Sequence, residues 1–173
     1  GLAAGGLPDA SVVKADLAAD VAGTQGKILG VNSVTYQEQE RGFDSTSYID
    51  SGMEITYTPV ASNSTALISL FGIAYATTGQ YLYLELRQAD AVWGGGSSGG
   101  GEYLGMIRGN SPSWANISVT WHVSPTWTAG TQTSFQIYGR KHTGSAAVPY
   151  IGWGDAGTKG TYTDGLIIQE VAA

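Results

Sequence analysis

From residue 27 onward, apolar and polar positions alternate with a period of two. Met53, Ile55 and Tyr57 interleave with Glu54, Thr56 and Thr58, and Leu82, Leu84 and Leu86 with Tyr81, Tyr83, Glu85 and Arg87. Ile117, Val119, Trp121 and Val123 alternate with Asn116, Ser118, Thr120 and His122, and Phe135 and Ile137 with Ser134, Gln136 and Tyr138. Alternation of this kind gives each strand one apolar and one polar face. Clusters of Gly, Pro, Asn and Ser interrupt the runs about every dozen residues, which is the pattern of an all-β chain. Strands are predicted near 27–37, 44–50, 53–58, 65–76, 80–89, 102–109, 115–123, 131–142, 148–153 and 165–172.

Residues 1–26 follow a different rule and read as a stalk, leaving 27–173 as the β-domain. Val13, Leu17 and Val21 recur at four-residue spacing, Asp9 or Ser11 can cap the start of a helix, and Gly23 can end it. A helix of that length, about 20 Å, is marginal alone in water. Its apolar stripe is one side chain wide, so it needs a neighbour. Either its own β-domain or identical helices around a threefold axis would serve. The run Trp93 to Gly101 (WGGGSSGGG) lacks side chains to build a packed surface and predicts a flexible loop.

A chain of 173 residues suits one β-sandwich or barrel. It buries roughly 70% of its unfolded surface, enough for a core without metal or disulfide. There are no cysteines, which excludes disulfides, thiol nucleophiles and Cys-based zinc sites. Net charge is −6, and the 8 Lys and Arg are scattered singly, so no basic run is available for nucleic acid. The longest apolar run, Thr65 to Ala76, contains Ser69 and is too short to span a bilayer. The chain opens Gly1-Leu2-Ala3 without a secretory signal or initiator Met, which suggests a piece of a longer chain. Charged residues are only 13%, a composition that suits an extracellular protein or a structural subunit.

The stretch Gly6-Leu7-Pro8-Asp9-Ala10-Ser11-Val12 resembles the Gly-Leu-Pro-Asp-Gly-Ser-Val stalk motif of bacteriophage tail-fibre and virion-associated proteins. Ala10 stands where that motif has Gly. The Lys27-Ile28-Leu29 start and the Leu166-Ile167-Ile168-Gln169-Glu170-Val171-Ala172 ending are similar to the first strand and the close of the C-terminal domain of such proteins. The resemblance covers both ends of the chain, and the middle only in its general pattern. It implies a homotrimeric, jelly-roll-like antiparallel β-sandwich on a fibre of the virion, outside the host cell, joined to upstream fibre or tail components.

Candidate chemistry is sparse. Serine hydrolysis needs a nucleophile, a histidine and an orienting acid in reach of one another. Only His122, on the polar face of a strand, and His142, beside a Gly turn, are present, and no Gly-x-Ser-x-Gly occurs. Paired carboxylates for glycoside hydrolysis are not excluded by spacing, but Glu38 and Glu40 beside Arg41 read as surface ion pairs. Asp155 in a Gly-rich turn reads as a turn former rather than a calcium ligand. The expectation is a non-enzyme without cofactor or metal.

What remains is aromatic and polar loop surface, from five Trp and ten Tyr. Trp121 falls on an apolar face and is expected in the core. Trp93, Trp114, Trp127 and Trp153 fall at loop edges, where an indole stacks on a sugar or packs in an interface. If every link reverses direction, the loops at 38–43, 59–64, 90–101, 124–130 and 154–164 collect at the end far from the stalk. That end then holds Glu38, Arg41, Phe43, Trp93, Trp127, Asp155, Lys159 and Tyr162. Of these Phe43, Trp93, Trp127, Asp155, Lys159 and Tyr162 are the candidate receptor contacts. The expected function is attachment to a host-surface glycan or outer-membrane protein, strengthened by three copies acting together. A structural virion part and a glycan-degrading fibre enzyme are the alternatives.

Overall fold

The computed structural model describes residues 26–37, 40–76, 81–89, 91–93, 106–108, 113–142, 148–152 and 163–173. The stalk with Val13, Leu17 and Val21 lies outside them, as do Asp155, Lys159 and Tyr162. The described part is all-β, with no helix. In chain order the strands are β1 (Ile28–Gln37), β2 (Arg41–Gly42), β3 (Ile49–Tyr57), β4 (Thr65–Ala76), β5 (Tyr81–Gln88) and β6 (Ala91–Trp93). They continue with β7 (Met106–Arg108), β8 (Ser113–Val123), β9 (Thr133–Lys141), β10 (Tyr150–Ile151) and β11 (Thr163–Val171).

β4 spans the predicted 65–76, whereas segments 44–50 and 53–58 are one strand rather than two. The Ser51-Gly52 pair between them is a bulge. The ladder with β9 skips from Asp50↔Tyr138 to Met53↔Ile137. Gly52 takes φ +71°, and its N–H donates to Asp50 Oδ1 at 2.8 Å. The Ser51 hydroxyl donates to the Ile137 carbonyl at 2.7 Å and accepts from Met53 N–H at 3.1 Å. Those side-chain bonds replace the ladder bonds lost at these two extra residues, so the strand carries on through a sequence that looks like a turn.

All pairings are antiparallel and form two sheets. The larger has the order β1-β11-β4, with β8 along the other side of β4 and the short β10 and β2 beyond. The smaller has the order β3-β9-β5, with β6 and β7 both on the outer side of β5. Apolar side chains from both sheets meet in one core, including Met53 and Ile55 of β3, Ile68 and Leu70 of β4, and Leu82, Leu84 and Leu86 of β5. Trp121 of β8, Phe135 and Ile137 of β9, and Leu166 and Ile168 of β11 complete it. Two antiparallel sheets around a shared core are what a β-sandwich requires.

At one margin the sheets are also tied by hydrogen bonds. Asn32 Nδ2 of β1 donates to the Thr56 carbonyl at 2.8 Å, and Tyr36 Oη donates to the Glu54 carbonyl at 2.7 Å. Glu54 N–H in turn donates to Tyr36 Oη at 2.6 Å.

The merging of β3 reverses the expected ends. Call the end where Gly26 enters proximal. β1 runs away from it, β3 returns, and β4 leaves again, with Thr65 opposite Val171 beside the first residues of β1. Loop 59–64 is therefore proximal: Val60 and Ala61 N–H both bond the Glu170 carboxylate. So is 124–130, since Gly130 N–H donates to the Pro59 carbonyl at 2.9 Å and Ala129 N–H to Ser62 Oγ at 2.9 Å. β5 also ends proximally, with Gln88 bonded to Thr126 and Thr133. The expected distal placement of 59–64 and 124–130 is thus corrected, and of the expected distal loop 90–101 the described residues 91–93 pair with the proximal end of β5. The distal end holds the end of β1, the exit of β4, the entry of β5, the exit of β9 and the entry of β8.

Two candidate receptor contacts are core residues. Phe43 is fully buried, its ring lying over Gly139, where an added Cβ would meet Phe43 Cε1 at 2.4 Å. Trp127 is buried at the proximal end against Tyr57 (centroids 5.9 Å) and edge-on to Phe135 (6.3 Å). Phe43 fills the space left by the missing side chain of Gly139, and Trp127 closes the core beside Tyr57 and Phe135.

Candidate functional site

The outer face of the smaller sheet is furnished by alternate residues of β3, β9 and β5, those of β3 exposed, those of β9 half-buried, and Glu85 and Tyr83 of β5 buried beneath their neighbours. Register sets Glu54, Gln136 and Arg87 in one row across the three strands. Asp50, Tyr138 and Glu85 form the next, followed by Arg140 and Tyr83. Each of these positions is polar, charged or aromatic because its strand neighbours fill the core. The surface is therefore continuous along β9.

Its proximal half is a polar groove of about 480 Å³ lined by Glu54, Thr56, Gln132, Thr133, Ser134 and Gln136. Amide, hydroxyl and carboxylate groups give it both donors and acceptors. Its distal half is a strip of rings and guanidinium groups. Arg87 Cζ lies 4.0 Å over the Tyr138 ring and the side chain is ion-paired with Glu85. Arg140 Cζ lies 4.4 Å from the Tyr83 ring centre and 5.1 Å from that of Tyr48. Tyr81 stacks on Tyr83 at 6.2 Å and 13°, and His142 sits 5.4 Å from Tyr81. Stacking holds these long side chains in place before any partner arrives, which lowers the entropy lost on binding.

Of the candidate contacts, Trp93 has its backbone in β6, paired with Leu86 of the same sheet. Phe43 and Trp127 are inside. Tyr138, Arg140, Arg87, Tyr81 and Tyr83 were not among the candidates, although the sequences YLYLELR and FQIYGRK carry the signal: every outward position holds a ring, a charge or an amide.

Two buried carboxylates lie elsewhere and hold the fold. Glu170, fully buried, accepts from Tyr57 Oη (2.8 Å), Val60 N–H (2.7 Å), Ala61 N–H (2.8 Å) and Ser64 Oγ (2.5 Å). Burial alone would raise its pKa, but the bonds from Ser64, Val60, Ala61 and Tyr57 outweigh it and hold the group below the ordinary carboxylate range. Burial, with the bond to Glu170 and its charge, pushes the Tyr57 hydroxyl up to about 12. At the other end, burial raises Asp164, opposed by the Ile73 N–H at 2.9 Å and by Arg41. Arg41 is lowered by burial, against the pull of Asp164, and stacks 4.6 Å over Tyr36. Gly72 makes room for Asp164, because a Cβ there would lie 1.9 Å from Asp164 Oδ1.

The two histidines are on different sheets: exposed His122 on the outer face of the larger, His142 beside Tyr81. Among the described residues no three His, Asp or Glu converge as a metal site, and no helix is long and apolar enough to cross a membrane. No protein-family model matches the chain, and no curated protein matches it.

Proposed function

We propose that this chain is a non-enzymatic receptor-binding tip of a bacteriophage tail fibre, attaching the virion to host-surface glycan through the outer face of the smaller sheet. The observation that carries the glycan reading is the polar groove continuing into the Tyr138–Arg87 and Arg140–Tyr83 stacks. Sugars are held by hydrogen bonds to their hydroxyls and by rings against their apolar faces, and this surface presents both side by side. The assignment to a tail fibre rests on the resemblance at the two chain ends. The strand order supports a jelly roll: β1-β11-β4-β8 faces β3-β9-β5-β6/β7, and consecutive long strands cross between sheets.

Host-cell binding by the recombinant chain tests this. Tyr138→Ala and Arg87→Ala should each weaken binding about tenfold, the scale of one ring or cation–π contact in a partly dry site. Failure of the parent chain to bind any susceptible host surface sinks the receptor reading.

A structural role in the virion is the second reading, and the outer face of the larger sheet favours it. Val31, Leu67, Phe71 and Ile167 alternate there with Ser33, Ser69, Thr120 and Ser118, and register brings them into rows. Val31 is 57% exposed. No acidic side chain interrupts these rows, so copies of a chain carrying −6 can approach there without like-charge repulsion. The same face suits the proposed homotrimer. Light scattering should give three times the 18.0 kDa chain mass, and a single-chain mass at micromolar concentration would remove the trimer.

A further inference from the structure

We infer that the distal half of this face holds a carboxylate-bearing sugar, with Arg140 as the group that grips the carboxylate. The inference rests on the glycan reading above and narrows its ligand class.

The three arginines whose side chains are described are in different states. Arg41 has Asp164 as its counter-charge, and Arg87 is ion-paired with Glu85. Arg140 has neither acid nor hydrogen-bond acceptor among the described residues. Its contacts are the faces of Tyr83 and Tyr48. A guanidinium has five N–H donors at its edge, and ring faces occupy none of them. Stacking fixes the plane of the group and leaves its edge for a planar, two-oxygen acceptor, the geometry in which Arg binds carboxylate by two parallel bonds. Arg140 is half-buried, so such a bond forms partly out of water, where it is stronger.

A second unfilled group lies alongside. Tyr48 Oη is buried and has no hydrogen-bond partner among the described residues, although a buried hydroxyl is ordinarily satisfied. It stacks on the same guanidinium and is the neighbouring donor that a carboxylate or an adjacent ring hydroxyl could use. Acidic side chains on this face are engaged elsewhere or distant: Glu85 is taken by Arg87, Asp50 in the neighbouring row accepts from Gly52 N–H at 2.8 Å, and Glu54 lines the groove about 13 Å away along the strand direction, four residues from Arg140's level. The face thus offers amide, hydroxyl and carboxylate hydrogen bonding at one end and, at the other, a cation with no acidic partner among the described residues. It fits an oligosaccharide longer than one ring, acidic at its distal unit.

The test uses the full chain and a panel of oligosaccharides in matched pairs, hexuronate and sialylated sugars beside their uncharged methyl esters, titrated by calorimetry. The acid of at least one pair should bind about tenfold or more tighter than its ester, the scale of one charge-assisted bidentate contact. Arg140→Gln should remove that preference, weakening the acid more than the ester, and Arg140→Lys should restore it only in part, because an ammonium lacks the fork. Circular dichroism of each variant separates lost binding from lost fold, and the acid–ester ratio on the unmutated chain stands whether or not the variants fold. Equal affinity for acid and ester overturns this inference and leaves the glycan reading standing, as does a preference that persists in folded Arg140→Gln. Binding of polyglutamate with no sugar bound, or of no panel member at all, overturns both.

Discussion

Glu170→Ala should destabilise the domain by about 4 kcal/mol, read as a shift in the urea midpoint at unchanged slope. The substitution leaves three donors without their acceptor, Tyr57 Oη and the N–H groups of Val60 and Ala61, while the Ser64 hydroxyl keeps the Ala61 carbonyl at 2.8 Å. Each stranded donor costs about 1–3 kcal/mol, and partial collapse of loop 59–64 makes the sum less than additive. The same carboxylate makes stability depend on pH. Its folded pKa lies below the ordinary 4.5, so its contribution is complete above that value and is lost as pH falls through the folded pKa. Tyr57 acts in the opposite sense: raised from 10.0 to about 12, it contributes fully below pH 10.0, and the gain disappears as pH rises through about 12. Urea unfolding of Glu170→Gln should lack the acid-side component. An acid limb of unchanged size in that variant would show that other carboxylates carry it.

Phe43→Ala should cost about 4 kcal/mol, the range for emptying an aromatic site in a dry core. The residue also links two elements, since its N–H bonds the Pro149 carbonyl at 2.9 Å while its ring covers Gly139. Gly139→Ala alone should cost about 1–3 kcal/mol by overpacking, because the new methyl is driven into that ring. In the double variant the methyl enters the space the ring vacated. The combined loss should therefore be smaller than the sum of the singles, a coupling that chemical denaturation measures directly. Host binding by folded Phe43→Ala should match the parent at temperatures where both are native. A selective loss of binding with stability intact would return Phe43 to the receptor surface.

Alternation was enough to identify the strands that build the core, because Leu82, Leu84 and Leu86 or Phe135 and Ile137 allow only one face inward. It failed at Ser51-Gly52, where the residue types of a reversal and of a bulge coincide, and the difference lies in a bond from Ser51 to Ile137, 86 residues away. One strand counted as two was enough to exchange the ends of the domain, and with them Trp127 and loop 59–64. Phe43 reads in sequence as a loop aromatic open to a receptor, yet it lies inward over the bare backbone of Gly139, a relation between positions far apart in sequence. The tyrosine–arginine strip was legible one strand at a time. Its assembly depended on the pairing of β9 with both β3 and β5, which alternation does not specify.

The margin where β1 and β3 meet bears on how copies of the domain behave when crowded together. Among the described residues each is paired on one side only, and an unpaired strand edge is a template for strand addition and aggregation. Both are interrupted, β1 between Ile28 and Gly30 and β3 between Asp50 and Met53. The Glu54 and Thr56 backbone groups that an incoming strand would use are already occupied by Tyr36 and Asn32. Crowded copies are thereby denied cross-β growth along this side, and contact between them is left to side chains on the sheet faces, where sequence can choose the partner.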